Sequence, residues 1–352
     1  MTGRSASSPL PVRNALAELR DVGCRLVAGQ VGLTPVLVTV GIPTFRRGEM
    51  LAQAVRSVLA QDFDRPFEIV VTDNDPHSTG AEALLEAVPE LRDRAFRYYV
   101  NAANVGGCHN VNRGIELARA PWVTILHDDD LLEPGFLSAS FAELDADPSI
   151  DGLVGIKGII DERAAPPPAM ARPSAAVRAR KLLRRGLDGV LYRGGSSRRI
   201  GVRKLFWGPL MGNIVGFVFR KSSAEALGGF DPREEPASDL WFYIRFAQRF
   251  HLRQLRTRVA TCRLAVNDSL KPATIRAMFT QQRALHQTLA DGPVPDWWRH
   301  LSPYLIARSR VELQDYWGVD IPADEIGRTL GMRLPGNRPY LIWPAKFLLR
   351  GF

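Results

Sequence analysis

Asp128, Asp129 and Asp130 stand in a row directly after His127, at the end of the apolar run Trp122 to Leu126. Adjacent carboxylates repel one another, so something cationic should offset them. A hard divalent ion bound through carboxylate oxygens does this, and the same ion can bridge to phosphates. An imidazole at His127 adds a nitrogen ligand that suits manganese better than magnesium. The competing reading is a solvated acidic turn or helix cap. Position favours the ion, because a triplet at the carboxyl end of a buried strand lies where α/β sheets bind ligands.

The elements that must hold this triplet can be read upstream. Val36 to Ile42 is rich in β-branched residues and reads as a buried strand closed by Pro43. Met50 to Ala60 has helical spacing, with Leu51, Ala54, Val55 and Val58 on one side. Further strands are predicted at Phe67 to Thr72, Phe96 to Val100 and Trp122 to Leu126. Helices are predicted at Ala81 to Val88, Asn110 to Ala118 and Pro134 to Leu144. The alternation implies an α/β fold with a parallel sheet covered on both faces. The polar clusters after Ile42, Thr72 and Leu126 then converge on one cleft beyond the strand ends.

On either side the pattern is weaker. Residues 1–34 read as a polar N-terminal extension, with one helix over Asn14 to Val27. Ile150 to Ile160 returns to strand character, and 161–204 reads as a flexible basic insertion with a short helix at Val177 to Leu191. Order resumes at Leu205, with strands at Ile214 to Phe219 and Val259 to Val266. Helices follow at Ser222 to Leu227, Asp239 to Phe250, Thr274 to Leu289 and Tyr304 to Tyr316.

Composition is ordinary for a globular protein, with 45% hydrophobic and 24% charged residues in a chain of 352. The net charge of +9 fits nucleic acid, an anionic membrane surface, a phosphorylated substrate, or simple arginine bias. No recognition motif supports nucleic acid as the partner. Cys24, Cys108 and Cys262 are scattered and odd in number, which fits neither a disulfide framework nor a zinc site, and points to a reducing cytoplasmic setting. Met1 to Arg20 lacks the apolar run of a secretory signal. No stretch reaches the roughly 20 apolar residues that span a bilayer, so a soluble or peripheral protein is expected. Neither a P-loop signature nor a G-x-G-x-x-G after the first strand is present.

The run WVTILHDDDLLEPGF resembles the "DxD" region of family 2 glycosyltransferases. VTVGIPTFRRGEMLAQAVRSVLAQ resembles the same family's opening strand and helix, through Pro43, Thr44, Phe45, Ser57, Val58 and Gln61. The resemblance implies the GT-A fold: a Rossmann-like, mostly parallel central sheet with helices on both faces, here followed by a helical C-terminal region. It implies that Asp129 binds a divalent metal, Mn2+ or Mg2+, with Asp130 and His127 beside it, and that Asp128 lies near the donor ribose. His127 departs from the family, taking the place of the first acid. Thr44 would meet the nucleoside, and Asp73 would accept a hydrogen bond from the base imino group, which favours uracil or thymine. Asn104, Gly106 and Gly107 match an N-x-G turn at the donor, but Val111 stands where the family often has an arginine. Arg46, Arg47 or the basic insertion would replace that cation.

In the second half, Gly228, Gly229, Phe230 and Asp231 resemble the family's G-G-F-D segment. Ser238-Asp239 takes the place of its acidic pair, which makes Asp239 the candidate base; an ordinary capping role is the alternative. A helix N-terminus there would favour the ionised form. Trp207, Gly212 and Asn213 are the candidate acceptor-binding residues, with core packing as the other reading of Trp207. The expected organisation is an extension at 1–34, a donor half at 35–160, the insertion at 161–204, an acceptor and catalytic half at 205–268, and a helical region at 269–352.

The function implied is inverting transfer of a sugar from a nucleotide donor, first a UDP-sugar, to a saccharide or lipid-linked acceptor. An inactive fold that only binds nucleotide or sugar, and a nucleotidyltransferase, stand as alternatives. The basic insertion is read as a contact with anionic lipid at the inner face of the membrane or, equally, as a solvated loop. The tail Tyr340 to Phe352 reads as packed on the enzyme rather than lying on a membrane.

Overall fold

The structure, a computed structural model, describes residues 9–30, 32, 34–162, 197–207, 213–264 and 271–335. Two compact units emerge, each described by itself. The first comprises Met1–Ile160, Arg199–Leu205 and Met211–Arg263. The second comprises Asp161–Arg198, Phe206–Leu210 and Leu264–Phe352.

The first unit is built on one mixed sheet. Its strands are β1 (Cys24–Gly29), β2 (Val38–Thr44), β3 (Phe67–Asp73), β4 (Phe96–Asn101), β5 (Trp122–Ile125), β6 (Leu131–Leu132), β7 (Gly152–Asp161), β8 (Phe217–Arg220) and β9 (Leu252–Leu264). They lie in the order β1-β4-β3-β2-β5-β8-β7-β9-β6. The centre is parallel, with β2 between β3 and β5 and β4 beside β3. The pairs β1–β4, β5–β8, β7–β8 and β6–β9 are antiparallel. Helices α1 (Gly48–Leu59), α2 (Gly80–Ala87), α3 (Gly107–Leu117), α4 (Phe136–Ala146), α5 (Lys221–Ala226) and α6 (Ser238–Arg249) complete the unit.

Period-two alternation divides the core between the two faces. Val38, Val40 and Ile42 of β2 join Val55 and Val58 of α1 in one cluster. Val123 and Ile125 of β5 join Ile115 of α3 and Phe242 and Phe246 of α6 in the other. α3 crosses β2 where both lack a side chain. A Cβ on Gly41 would meet Ile125 Cδ1 at 2.9 Å and Gly114 Cα at 3.6 Å.

The helix expected over 14–27 is not formed. Leu16–Leu19 is a single 3-10 turn, and Cys24–Gly29 is an edge strand on β4. Leu19 is buried from the turn instead, and the Arg113 guanidinium donates to the carbonyl of Val22 at 2.5 Å. Gly29 ends the strand at φ 77, where any Cβ would strike Phe96 O. β9 also begins seven residues earlier than the strand expected from Val259, because its first half is polar.

A buried ion cluster pins the sheet below the site. Glu68, fully buried on β3, accepts from Thr39 Oγ1 at 2.7 Å, Arg97 at 3.0 and 3.1 Å, and Arg119 N and Nε at 3.0 and 2.9 Å. Burial pushes its carboxyl upward, but these donors outweigh burial and hold it below the usual carboxylate range. A lowered folded pKa stabilises above the unfolded value of about 4.3, and the gain is lost as pH falls through the folded one. Glu68→Gln should therefore cost about 3 kcal/mol at neutral pH by urea unfolding, with the gap to the parent closing below about pH 4.

The second unit is helical, with α7 (Pro272–Ala290), α8 (Ser302–Trp317) and α9 (Ala323–Leu330). Its centre stacks Phe206 on His286 at 4.6 Å and on Trp298 at 4.9 Å, with Trp207 5.3 Å from Trp298. Burial pushes His286 down to about 3, so it stays neutral beside Ser302 Oγ at 2.9 Å. The helix expected at 177–191, residue Gly212 and the tail 340–352 lie outside the described residues. At the described end of the basic insertion, Ser197–Arg199 is a short strand and a helix begins at Val202.

Candidate active site

The carboxyl ends of β2, β3 and β5 deliver Thr44, Asp73 and the loop His127–Asp130 to one edge of the sheet. Thr44 Oγ1 donates to Asp128 at 2.7 Å, joining the first strand to the acidic loop. The family-matching residues Ser57 and Gln61 have a physical task here. Ser57 Oγ accepts from Leu132 N at 3.1 Å, while Gln61 donates to Glu133 O at 2.8 Å and accepts from Leu137 N at 3.0 Å. α1 thereby fixes the segment that follows the aspartates.

Each aspartate has a different setting. Asp128 is buried, and burial raises its carboxyl, opposed by the Thr44 hydroxyl and by Arg47. Asp129 is half-buried, with Arg47 Nη1 2.7 Å away; the same nitrogen is 3.3 Å from Asp128. Asp130 is 3% exposed and accepts from Arg263 N at 2.9 Å and Asn213 Nδ2 at 3.2 Å. Burial raises Asp130 as well, opposed first by His127, whose Nδ1 is 3.7 Å from Oδ2. Arg263 Nε holds the carbonyl of Asp129 at 3.1 Å.

One atom each from His127, Asp129 and Asp130 lie within 4.8 Å of one another. Two carboxylates and an imidazole are a donor set for a divalent ion such as manganese. The donor set fits, because a cation would offset the desolvation that burial imposes on Asp130.

Asp73 ends β3 as expected. It accepts from Tyr98 Oη at 2.6 Å and from Asp75 N at 3.0 Å. Pro43 precedes Thr44 on β2, and Phe45 is 40% exposed, with the Arg46 guanidinium 4.9 Å over its ring. Arg46 has φ 57 and pairs with Asp75 at 2.7 Å.

The Asn104 turn is organised by asparagines that sequence reading did not single out. Asn74 donates to Asn104 Oδ1 at 2.8 Å and accepts from Val105 N at 2.9 Å. Asn104 also accepts from Gly106 N at 2.9 Å. Gly106 adopts φ 83, and Gly107 opens α3. Asn110 donates to Thr72 O at 2.8 Å and accepts from Asn101 at 2.9 Å. The ends of β2, β3 and β4 are thus knitted together by side-chain amides. In sequence, asparagine reads only as a loop residue.

Asp239 lies in the first turn of α6, half-buried, and accepts from Ile214 N at 2.9 Å. Burial raises its carboxyl, opposed by the charges of His127 and Lys157. The side chain of the preceding residue, Asn213, donates to Asp130, so two consecutive residues join the acidic loop to Asp239. Trp207 is 1% exposed, packed on Phe206 and Trp298 in the second unit, which leaves no ring face open to a sugar. Lys157 was also missed, although a lone lysine inside the apolar strand Gly152–Asp161 was a visible signal.

Residues 39–225 match the family described as "Glycosyl transferase family 2". A putative colanic acid biosynthesis glycosyl transferase, WcaA of Escherichia coli K12, is 34% identical over 106 residues, 30% of this chain and 37% of that protein. The chain therefore matches little more than a third of that relative's length. S. aureus TarS 1–349, solved with UDP, shares the fold with a TM-score of 0.53 and 14% identity, over 83% of this chain and 78% of that one. The mannosyltransferase PcManGT of Pyrobaculum calidifontis, solved with GDP-Man and Mn2+, gives a TM-score of 0.51 and 19% identity, over 90% and 85%. The family match runs from β2 into α5, through every strand end that carries the acidic loop, and takes in more than half of the sequence: the chain belongs to glycosyl transferase family 2.

Proposed function

We propose that the protein is an inverting glycosyltransferase that moves a sugar from a UDP-sugar to a hydroxyl of a saccharide or lipid-linked glycan, with Asp239 as base. The observation that carries this reading is the tether between the two carboxylate centres. Asp130, in the candidate metal group, and Asp239, at the start of α6, are held by consecutive residues, Asn213 and Ile214. An in-line displacement needs a leaving group bound on one side of the anomeric carbon and a base on the other.

Asp239 would take the acceptor hydroxyl proton as the new glycosidic bond forms and the bond to the nucleoside diphosphate breaks. His127, Asp129 and Asp130 would hold the divalent ion, which neutralises charge on the departing diphosphate. Arg47, beside Asp128 and Asp129, supplies the cation that Val111 does not. Asn104, Gly106 and Gly107 form the donor turn, while Thr44, Phe45, Asp73 and Asp128 face the nucleoside. Uracil or thymine is favoured over bases that present a lone pair there, because Asp73 accepts but cannot donate.

The test is calorimetric titration of the full chain with UDP, GDP and dTDP, with and without MnCl2. UDP binding that requires Mn2+ is expected. Asp73→Asn should weaken it roughly tenfold, about 1–2 kcal/mol, because an amide can present a donor to the imino N–H. Binding indifferent to the base would remove Asp73 from the donor site.

A further inference from the structure

The carbonyl of Asn213 accepts two hydrogen bonds from side chains that the scheme above does not use. Lys157 Nζ, from β7, donates to it, and Tyr243 Oη, one turn beyond Asp239 on α6, donates at 3.1 Å. The lysine also lies 5.9 Å over the Tyr243 ring. The amide side of the same residue faces the acidic loop, where Asn213 Nδ2 reaches Asp130 at 3.2 Å and Cys262 Sγ at 3.0 Å. The next backbone N–H, from Ile214, is bound to Asp239 at 2.9 Å. The Asn213–Ile214 peptide is therefore gripped at its oxygen and gives its N–H to Asp239, while the Asn213 side-chain amide donates to Asp130.

We propose that Lys157 is a positioning residue for the transfer step: with Tyr243 it locks the Asn213–Ile214 peptide, and so holds Asp239 at a fixed place relative to the acidic loop. This rests on the glycosyltransferase reading above. The groups facing Lys157 are Asp130, Asp239, Cys262 and Tyr243. Burial lowers the lysine's own pKa, opposed by the charges of Cys262, Asp239 and Asp130; as an ammonium it favours the ionised form of Asp239, against the burial that raises that carboxyl. Donor binding should depend on it little, because Asp130 keeps the bond from Arg263 N at 2.9 Å.

The test compares the full-length parent with Lys157→Met and Tyr243→Phe. Each is titrated with UDP and MnCl2, then assayed for UDP release from UDP-glucose, UDP-galactose and UDP-N-acetylglucosamine, with water as acceptor. Lys157→Met should keep the UDP dissociation constant within about threefold and lower kcat roughly 10- to 100-fold, the scale of an ångström-sized misplacement. It should also move the acid limb of the kcat/KM profile up by about one pH unit, because an ionised neighbour is lost. Tyr243→Phe keeps that charge and should lower kcat about 3- to 10-fold without moving the limb.

An unchanged acid limb, or a kcat within threefold of the parent, in Lys157→Met overturns the proposal while leaving the enzyme reading intact. A parent that neither binds UDP with Mn2+ nor releases UDP from any of the three sugars overturns both.

Discussion

Asp239→Asn should lower transfer about 100- to 10,000-fold while leaving UDP binding and the melting temperature close to the parent's. General-base catalysis contributes roughly 10²- to 10⁴-fold, and an amide cannot take the proton. The substitution is isosteric, and its carbonyl oxygen can still accept the Ile214 N–H that Asp239 accepts at 2.9 Å, so α6 keeps its place. The measurement is UDP release against acceptor concentration, paired with calorimetry of the donor.

A variant with a rate within tenfold of the parent would show that another group takes the proton. Glu235 is then the nearest alternative by sequence, although its Oε1 is bound to Cys108 N at 3.0 Å. The pH dependence carries a sign. Because burial raises Asp239, kcat/KM should fall on the acid side through a pKa above the ordinary aspartate value of about 3.9, and should be flat above it. Asp239→Asn should abolish that limb.

The parts legible in the sequence were those whose residue types have one physical meaning in context. β-Branched runs at Val38–Thr44 and Phe67–Asp73 can be little else than buried strands, and an acidic triplet at a strand end points to a cation. The parts that were not legible depend on partners far away in the chain. Cys24–Gly29 is a strand because β4 offers it an edge, and nothing within those six residues announces that edge. Trp207 has the composition of a sugar platform and of a core residue alike, and its burial against Trp298 is what distinguishes them. The asparagines at 74, 101 and 110 act together only because three strand ends meet.

The second large effect is expected at the acidic loop. Asp129→Ala should weaken Mn2+-dependent UDP binding about 100-fold or more, exceeding the 10- to 100-fold typical of losing an outer-shell partner of a metal ligand. Folding should change by less than about 1 kcal/mol, because the Asp129–Arg47 pair is 15% and 40% exposed and such pairs contribute little. The two roles of Asp129 separate in the metal-free titration. Arg47 Nη1 sits 2.7 Å from Asp129 and 3.3 Å from Asp128, so removing Asp129 releases its closer partner. A guanidinium so released is freer to meet a diphosphate. UDP binding without Mn2+ should therefore hold or rise slightly in Asp129→Ala while the Mn2+-dependent part disappears. If Asp129 served only to shape the loop, both parts would fall together, and a fall in both would remove it from the ligand set.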